Sequence, residues 1–322
     1  MSGTGQGIGR RRLLYVGNVV VDLVLDVPGL PDRGGDMFAN RTRALTGGGF
    51  NVMAAAARQG LLVSYAGAHG TGPFAEIAGA ALAAEGIEIL RPPRPSLDTG
   101  FVVTLVEPDG ERTFISSRGA EATLSADDLA DLEPGRGDFI GLSGYSLAHG
   151  PNCEALTGWL GARRREQAVI FDPGPLAGLL PEPALRQVLA RTTWLTCNER
   201  EATLLTGEHE PGLAIRALTA LLASLAGTRQ PAGPGGVLLR RGPAGCLVGQ
   251  PGQPVRLVPG FCVHAIDTTG AGDTHTGVFI AAMAAGLPLL DAVRRANAAA
   301  ALSVTRPGPA EAPSRADLDA FL

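Results

Sequence analysis

The chain has 322 residues, 45% of them hydrophobic, which is enough for one large domain with a small appendage. Its charges nearly balance, at −4 with a pI near 5.8, so no basic field exists to hold nucleic acid or another polyanion. All 27 basic residues are arginines, and the missing lysine excludes a Walker P-loop, a protein-kinase centre and a lysine Schiff base.

The opening "GTGQGIG" mimics a dinucleotide fingerprint, but no strand precedes it and its glycines alternate. Residues 1–12 read as a flexible tail. "RRRLLYVGNVVVDLVLDV" has the basic and apolar parts of a signal peptide. Asp22 and Asp26 interrupt it, however, and no small-residue cleavage site follows, so it reads as a first strand. No apolar run reaches the roughly 18 residues of a membrane span. Cys153, Cys197, Cys246 and Cys262 form no CxxC pair and read as buried thiols in a reducing cytoplasm.

"NVMAAAARQG" is helical and closes at Gly60; "FAEIAGAALAAEG" is helical and closes at Gly86. "LLVSYAGAHG", "GDFIGLSG", "AVIFDPG" and "TTWLTCN" read as strands. This alternation predicts an α/β fold with a doubly wound, mostly parallel sheet flanked by helices. Ligands in such sheets sit at the carboxyl ends of the strands. Two stretches break the rhythm. Residues 30–49 carry no helical stripe, and "TGFVVTLVEPDGERTFISS" (99–117) reads as a hairpin turning at Asp109-Gly110. Together they suggest a small inserted β lid, or equally an edge extension or dimer surface. The expected division is a core of 13–21, 45–96 and 121–322, and a discontinuous lid of 22–44 and 97–120. "GTRQPAGPGG" (227–236) reads as a surface loop and "RRRE" (163–166) as a solvated helix face. Tyr145, after the strand "GDFIGLSG", either walls a site or packs in the core.

The chemistry concentrates in "DTTGAGDTHTG", 267–277. Gly270, Ala271 and Gly272 leave backbone bare at the mouth of a helix, where successive N–H groups and the helix dipole hold an anion. A carboxylate there, Asp273, suits a base that takes a proton from an attacking hydroxyl. The structural alternative is a helix N-cap. "GNVVVD" puts Asn18, Val20 and Asp22 on one strand face, and "TGGGFN" sets Gly47 and Gly48 before Asn51 at another helix start. Both clusters suit polyol recognition, with an N-cap as the alternative for Asn51.

These motifs resemble the ribokinase/PfkB-type carbohydrate kinases over about 13–322. "GGGFN" (47–51) and "DTTGAGD" (267–273) carry the two signatures. "NERE", "RRGPAG" and "ANAAAALSVTRPG" match minor features, and "DGERT" with "RGAE" matches the family's lid. The resemblance implies ATP-dependent phosphorylation of a sugar hydroxyl, most naturally the terminal primary one. It makes Asp273 the base and the amides of Ala271, Gly272 and Asp273 the anion hole. Asn18, Asp22, Gly48 and Asn51 would hold the sugar. Asn198 and Glu201 would act near the phosphates and Mg²⁺, Glu201 through water. Gly242, Gly245 and Asn297 would border adenosine. Asp267, with backbone near Arg306 and Gly308, would lie by a K⁺ site. A homodimer through the lid is expected. The chain departs from the family at His275, where Phe is frequent and where a packing role is expected. It departs also at "AHGTGPF", which lacks an acid, and at Arg240-Arg241, where Thr is frequent. A nucleoside kinase, a sugar- or nucleotide-binding regulator without catalysis, and, weakly, a nicotinamide dehydrogenase are the other readings.

Overall fold

A computed structural model describes residues 11–163, 166–226, 235–308 and 311–322. The tail through Arg10, with its glycine repeat, lies outside the described residues, as do 164–165 of "RRRE" and 227–234 of the surface loop. In chain order the strands are β1 (Arg12–Tyr15), β2 (Val19–Asp26), β3 (Arg41–Gly48), β4 (Leu62–Tyr65), β5 (Glu88–Ile89), β6 (Phe101–Val106) and β7 (Arg112–Ser117). They continue as β8 (Phe139–Ser143), β9 (Ala168–Asp172), β10 (Trp194–Asn198), β11 (Gly236–Arg240), β12 (Cys246–Gly249) and β13 (Arg256–Val258).

The main sheet has nine strands in the order β13-β12-β11-β10-β9-β8-β1-β4-β5. From β11 to β5 every pairing is parallel, while β12 and β13 close one edge antiparallel. The two-residue period divides each strand between two cores. Leu14, Ile140, Phe171, Leu195 and Leu239 face one layer with helices Gly150–Ala162 and Pro211–Ala226. Leu13, Phe139, Ile170, Trp194 and Leu238 face the other, with helices Gly49–Arg58, Ala271–Ala284 and Leu289–Ser303. This is the doubly wound α/β architecture expected.

The expected single first strand is two strands in different sheets. The apolar run is continuous, but the chain changes sheet at Gly17, where a Cβ would stand 2.5 Å from the Tyr15 ring and only glycine fits. That sheet has four strands, β3-β2-β6-β7, and includes the 101–117 hairpin, with Gly110 at φ +87° in its turn. It takes in Val19–Val21 and Leu45–Gly48 as well as parts of 22–44 and 97–120. Arg11 and Arg12 are anchored rather than free, Arg12 by an ion pair with Asp138 at 2.9 Å. Among the described residues no helix is long and apolar enough to cross a membrane.

Two helices carry the signatures and touch each other closely. A Cβ at Gly277 would lie 2.3 Å from the Val52 carbonyl oxygen and 2.7 Å from the Ala55 Cβ. Only glycine permits this approach, which sets the register between helices Gly49–Arg58 and Ala271–Ala284. Phe279 then packs edge-on against Trp194, ring centroids 5.4 Å apart, and fixes the second helix to β10. Gly277→Ala is expected to cost at least about 1–3 kcal/mol, because the core is overfilled with backbone on one side. An unchanged denaturation midpoint would contradict this account of the contact.

Candidate active site

The parallel strands end together, so residues distant in sequence meet along their carboxyl edge: Tyr15, Ser143, Asp172, Asn198 and Arg240. Arg240 is the hub. Its Nη1 donates to Asp172 Oδ2 at 2.7 Å, Thr196 Oγ1 at 2.9 Å, Thr276 Oγ1 at 3.1 Å and the Gly272 carbonyl at 3.4 Å. Its Nη2 reaches Glu201 Oε2 at 3.4 Å. The side chain is 12% exposed, so one buried cation faces two nearly buried acids. The Arg240 guanidinium is therefore not solvated but paired inside the site. Arg241 pairs with Glu199 at 2.7 Å nearer the surface.

The helix Ala271–Ala284 starts at Gly270, whose φ of +73° is left-handed and suits glycine. Its first amides have no carbonyl one turn back; that of Ala271 leans to Thr268 O at 3.3 Å. Asp273 lies in this first turn but makes no capping bond. Instead its Oδ2 accepts from Asn51 Nδ2 at 3.2 Å. Asn51 makes no cap either, because its helix starts at Gly48–Gly49 with no side-chain bond. Both glycine-led helix starts therefore free their polar residues to face each other. Withdrawal from water lifts the Asp273 carboxyl to about 7, and the Asp172 charge adds to this. The Asn51 bond and the Arg240 charge oppose the rise.

Asp22 stands on β2 opposite this pair's glycine loop. A Cβ at Gly47 would lie 2.0 Å from Asp22 Oδ2, so the bare backbone at 47 leaves room for the carboxylate. Burial raises the Asp22 carboxyl to about 6. Gly48 is left-handed at φ +63°, and the Gly49 amide bonds the Asn18 carbonyl at 2.8 Å. Asn18 lies before β2, not on the strand face expected, and its Oδ1 accepts from Ser146 Oγ at 3.1 Å and Asn152 Nδ2 at 3.4 Å. Tyr145 is 45% exposed, which favours a wall over core packing.

Asn198 and Glu201 form a reciprocal capping box on helix Glu199–Thr206, with Asn198 N donating to Glu201 Oε2 at 2.8 Å. Burial and Asp172 push the Glu201 carboxyl up, against the pull of Arg240. Gly242 and Gly245 are both left-handed in the turn between β11 and β12, and a Cβ at Gly245 would strike the Val258 carbonyl at 2.2 Å. Asn297 gives its amide to the carbonyls of Val258 and Pro259, both at 3.0 Å, and pairs Oδ1 with His275 Nε2 at 3.1 Å. His275 is 3% exposed, and burial lowers its pKa to about 3 with help from the Arg240 charge, so it packs as a neutral ring. Asp267 meets Arg112 at 2.7 Å. Burial would raise its carboxyl, but the Arg112 and Thr269 bonds prevail and hold it at about 2. Of the four thiols expected to be buried, Cys197 and Cys246 are, Cys153 is half-buried, and Cys262 is exposed in the irregular segment after β13.

Sequence reasoning passed over Asp172, Thr196, Thr276 and Tyr15. Asp172 had a readable signal, being an acid at the carboxyl end of an apolar strand. The threonines had none, since they matter only through Arg240.

The model of the pfkB family carbohydrate kinases matches residues 10–316. The uncharacterized sugar kinase YegV of Escherichia coli K12 is 32% identical over 310 residues, 96% of this chain and 93% of that one. The ribokinase of Haemophilus influenzae is 29% identical over 320 residues, 97% of this chain and 99% of that one. Among solved structures, the Thermotoga maritima ribokinase superposes with a TM-score of 0.80 at 25% identity, covering 97% and 99% of the two chains. A Vibrio cholerae fructokinase with fructose, ADP and calcium bound gives 0.79 at 25% identity over 97% and 99%. Matched in sequence over nearly its whole length and in fold, the chain belongs to the pfkB family and is an ATP-dependent carbohydrate kinase.

Proposed function

We propose that the chain transfers the γ-phosphoryl group of ATP to the terminal primary hydroxyl of a sugar, with Asp273 as the base. The observation that carries this is the Asn51–Asp273 pair at the bare mouth of a helix, with the Asp273 carboxyl raised to about 7. A base in that range is half-ionised near neutral pH and still strong enough to take a hydroxyl proton. The amides of Gly272 and Asp273, with that of Ala271, face the charge that develops on the transferred group. Asn51 holds the carboxylate toward the sugar. Asp22, beside Gly47 and Gly48, accepts sugar hydroxyls, and the Asn18 segment supports that loop.

The donor set suits ATP with Mg²⁺. Glu201 Oε1 accepts one bond, from Asn198 Nδ2 at 2.9 Å, which leaves it a lone pair for a metal-bound water. Mg²⁺ would offset phosphate charge when bound. Gly242 and Gly245 would border the adenosine, and Asn297 would act there by holding the Val258–Pro259 segment rather than by reaching out. The small sheet would serve as the lid. Its Phe114 and Ile115, 61% and 60% exposed, support a homodimer through that face, and a cytoplasmic setting suits the free thiols.

The test is an ADP-release screen across pentoses, hexoses, ketose phosphates and nucleosides, with the ester position read by NMR. Turnover on a sugar with a primary ester supports the proposal; turnover on nucleosides alone, or on nothing, overturns it. Asp22→Ala is expected to raise KM for the sugar by about 10–100-fold, since a charged hydrogen bond is worth about 1.5–3 kcal/mol. ATP affinity without sugar should hold. If ATP binding weakens while sugar binding survives, the two half-sites are reversed.

A further inference from the structure

Asp267 opens the turn that leads into the anion hole, and three groups donate to its carboxylate. Arg112 Nη2 reaches Oδ1 at 2.7 Å, the Thr269 amide reaches Oδ1 at 2.9 Å, and the Gly308 amide reaches Oδ2 at 3.2 Å. Two N–H groups hold Oδ1, a third holds Oδ2, and the Arg112 guanidinium already supplies at this carboxylate the positive charge that an alkali ion would bring. Like charges at that range repel, so the K⁺ that the resemblance attaches to Asp267 does not fit this donor set.

We propose that Arg112 takes the place of a monovalent cation, so that phosphoryl transfer in this chain needs no alkali ion. The proposal rests on the kinase reading above. The work expected of such a cation is local. Two segments must be held side by side: the Ile266 and Asp267 amides both donate to the Val304 carbonyl, at 2.7 and 3.2 Å, and the Gly308 amide closes onto Asp267. A neutralised carboxylate lets these amides gather around it and fixes the approach to Gly270. A bound ion exchanges with solvent and its site empties at low salt. Arg112 is covalently held, and its planar fork makes directional bonds that do not dissociate into bulk water.

The placement of Arg112 adds a consequence. It opens β7 in the four-stranded sheet, 155 residues from Asp267 along the chain. The counter-charge on Asp267 thus comes from the small sheet rather than from the core that carries Asp267.

The test compares KCl with tetramethylammonium chloride at equal ionic strength on the full chain. Thermal unfolding without nucleotide is one readout, and turnover with Mg-ATP and the sugar found in the screen is the other. The wild type is expected to have the same midpoint and the same turnover in both salts. Arg112→Gln is expected to lose about tenfold or more in turnover in tetramethylammonium chloride, as befits one charge-assisted bond, and to regain part of it, with a raised midpoint, in KCl. Arg112→Lys keeps a charge and should gain little from K⁺. A wild type activated or stabilised by K⁺ overturns the proposal. So does an Arg112→Gln variant that matches the wild type in both salts, which is the behaviour of a surface ion pair of small worth. If Arg112→Gln does not fold, the wild type and Arg112→Lys decide. If no sugar is phosphorylated, the kinase reading fails on its own, and the unfolding comparison still settles the role of Arg112.

Discussion

Asp273→Asn is expected to lose at least about 10²-fold in turnover, the lower end of what a positioned base supplies. The substitution keeps the side chain's size and its place opposite Asn51, 3.2 Å away, and removes only the basicity. ATP affinity should change modestly, because the amides at the helix mouth remain. A variant with wild-type turnover on the true substrate would remove Asp273 from the role of base. The pH profile gives a second reading of the same group. With the carboxyl raised to about 7, wild-type kcat/KM should fall as pH drops below 7 and level off above it. The inflection reports Asp273 together with Glu201, whose carboxyl is also pushed up and whose charge raises that of Asp273, rather than one isolated acid. Stability runs the opposite way. A carboxyl raised in the folded state favours folding most below its unfolded value near 3.8, and that contribution is lost as pH climbs through 7. Asp273→Asn carries no such charge, so above pH 7 it should unfold at a higher temperature than the wild type. An inactive variant that is also less stable at pH 8 would mark Asp273 as structural.

The site's two helix mouths were legible because glycine before a polar residue is a local signal. Gly270 at φ +73° and Gly48 at φ +63° do what their sequence contexts suggest. The two-sided strands were legible for the same reason: a period of two divides Leu13 from Leu14 and Trp194 from Leu195 without knowledge of the rest of the chain. The bend at Gly17 was not, since an unbroken apolar run hides a change of sheet; the Tyr15 ring beside residue 17, which leaves no room for a side chain there, is visible only in the fold. Asn18 was misplaced with it. Ion pairs across the chain leave no periodic trace. Arg240 and Asp172 are 68 residues apart, Arg112 and Asp267 are 155 apart, and each meets its partner only after the sheets have been built. An arginine where threonine is frequent signals a difference but not its partner.

Arg240→Leu should be the most damaging single change to stability. It deletes one buried cation and leaves two acids, Asp172 and Glu201, 16% and 6% exposed, without their counter-charge. Breaking a buried pair from one side costs about 3–5 kcal/mol, because the surviving charge stays out of water. Thr196, Thr276 and the Gly272 carbonyl lose a donor as well. A midpoint fall on the order of 10 °C is expected near pH 8. The deficit should narrow as pH falls, since the Glu201 carboxyl, already pushed up by burial, takes a proton and relieves part of the uncompensated charge; a carboxyl raised in the folded state contributes stability that is present at low pH and lost as pH rises. Adding Asp172→Asn and Glu201→Gln to Arg240→Leu should recover much of the loss, because the uncompensated charge is then gone. Arg240→Lys should fall between, since one ammonium cannot serve acceptors on opposite sides of a planar fork. Activity separates the electrostatic role from the structural one. Burial drives the rise of the Asp273 carboxyl, Asp172 adds to it and Arg240 opposes it, so without the arginine the inflection in kcat/KM should move above 7. A variant that unfolds early but keeps its inflection would make Arg240 a brace for the strand ends alone. One that is as stable as the wild type at pH 8 would mean that Arg240 does not supply the counter-charge assigned to it here.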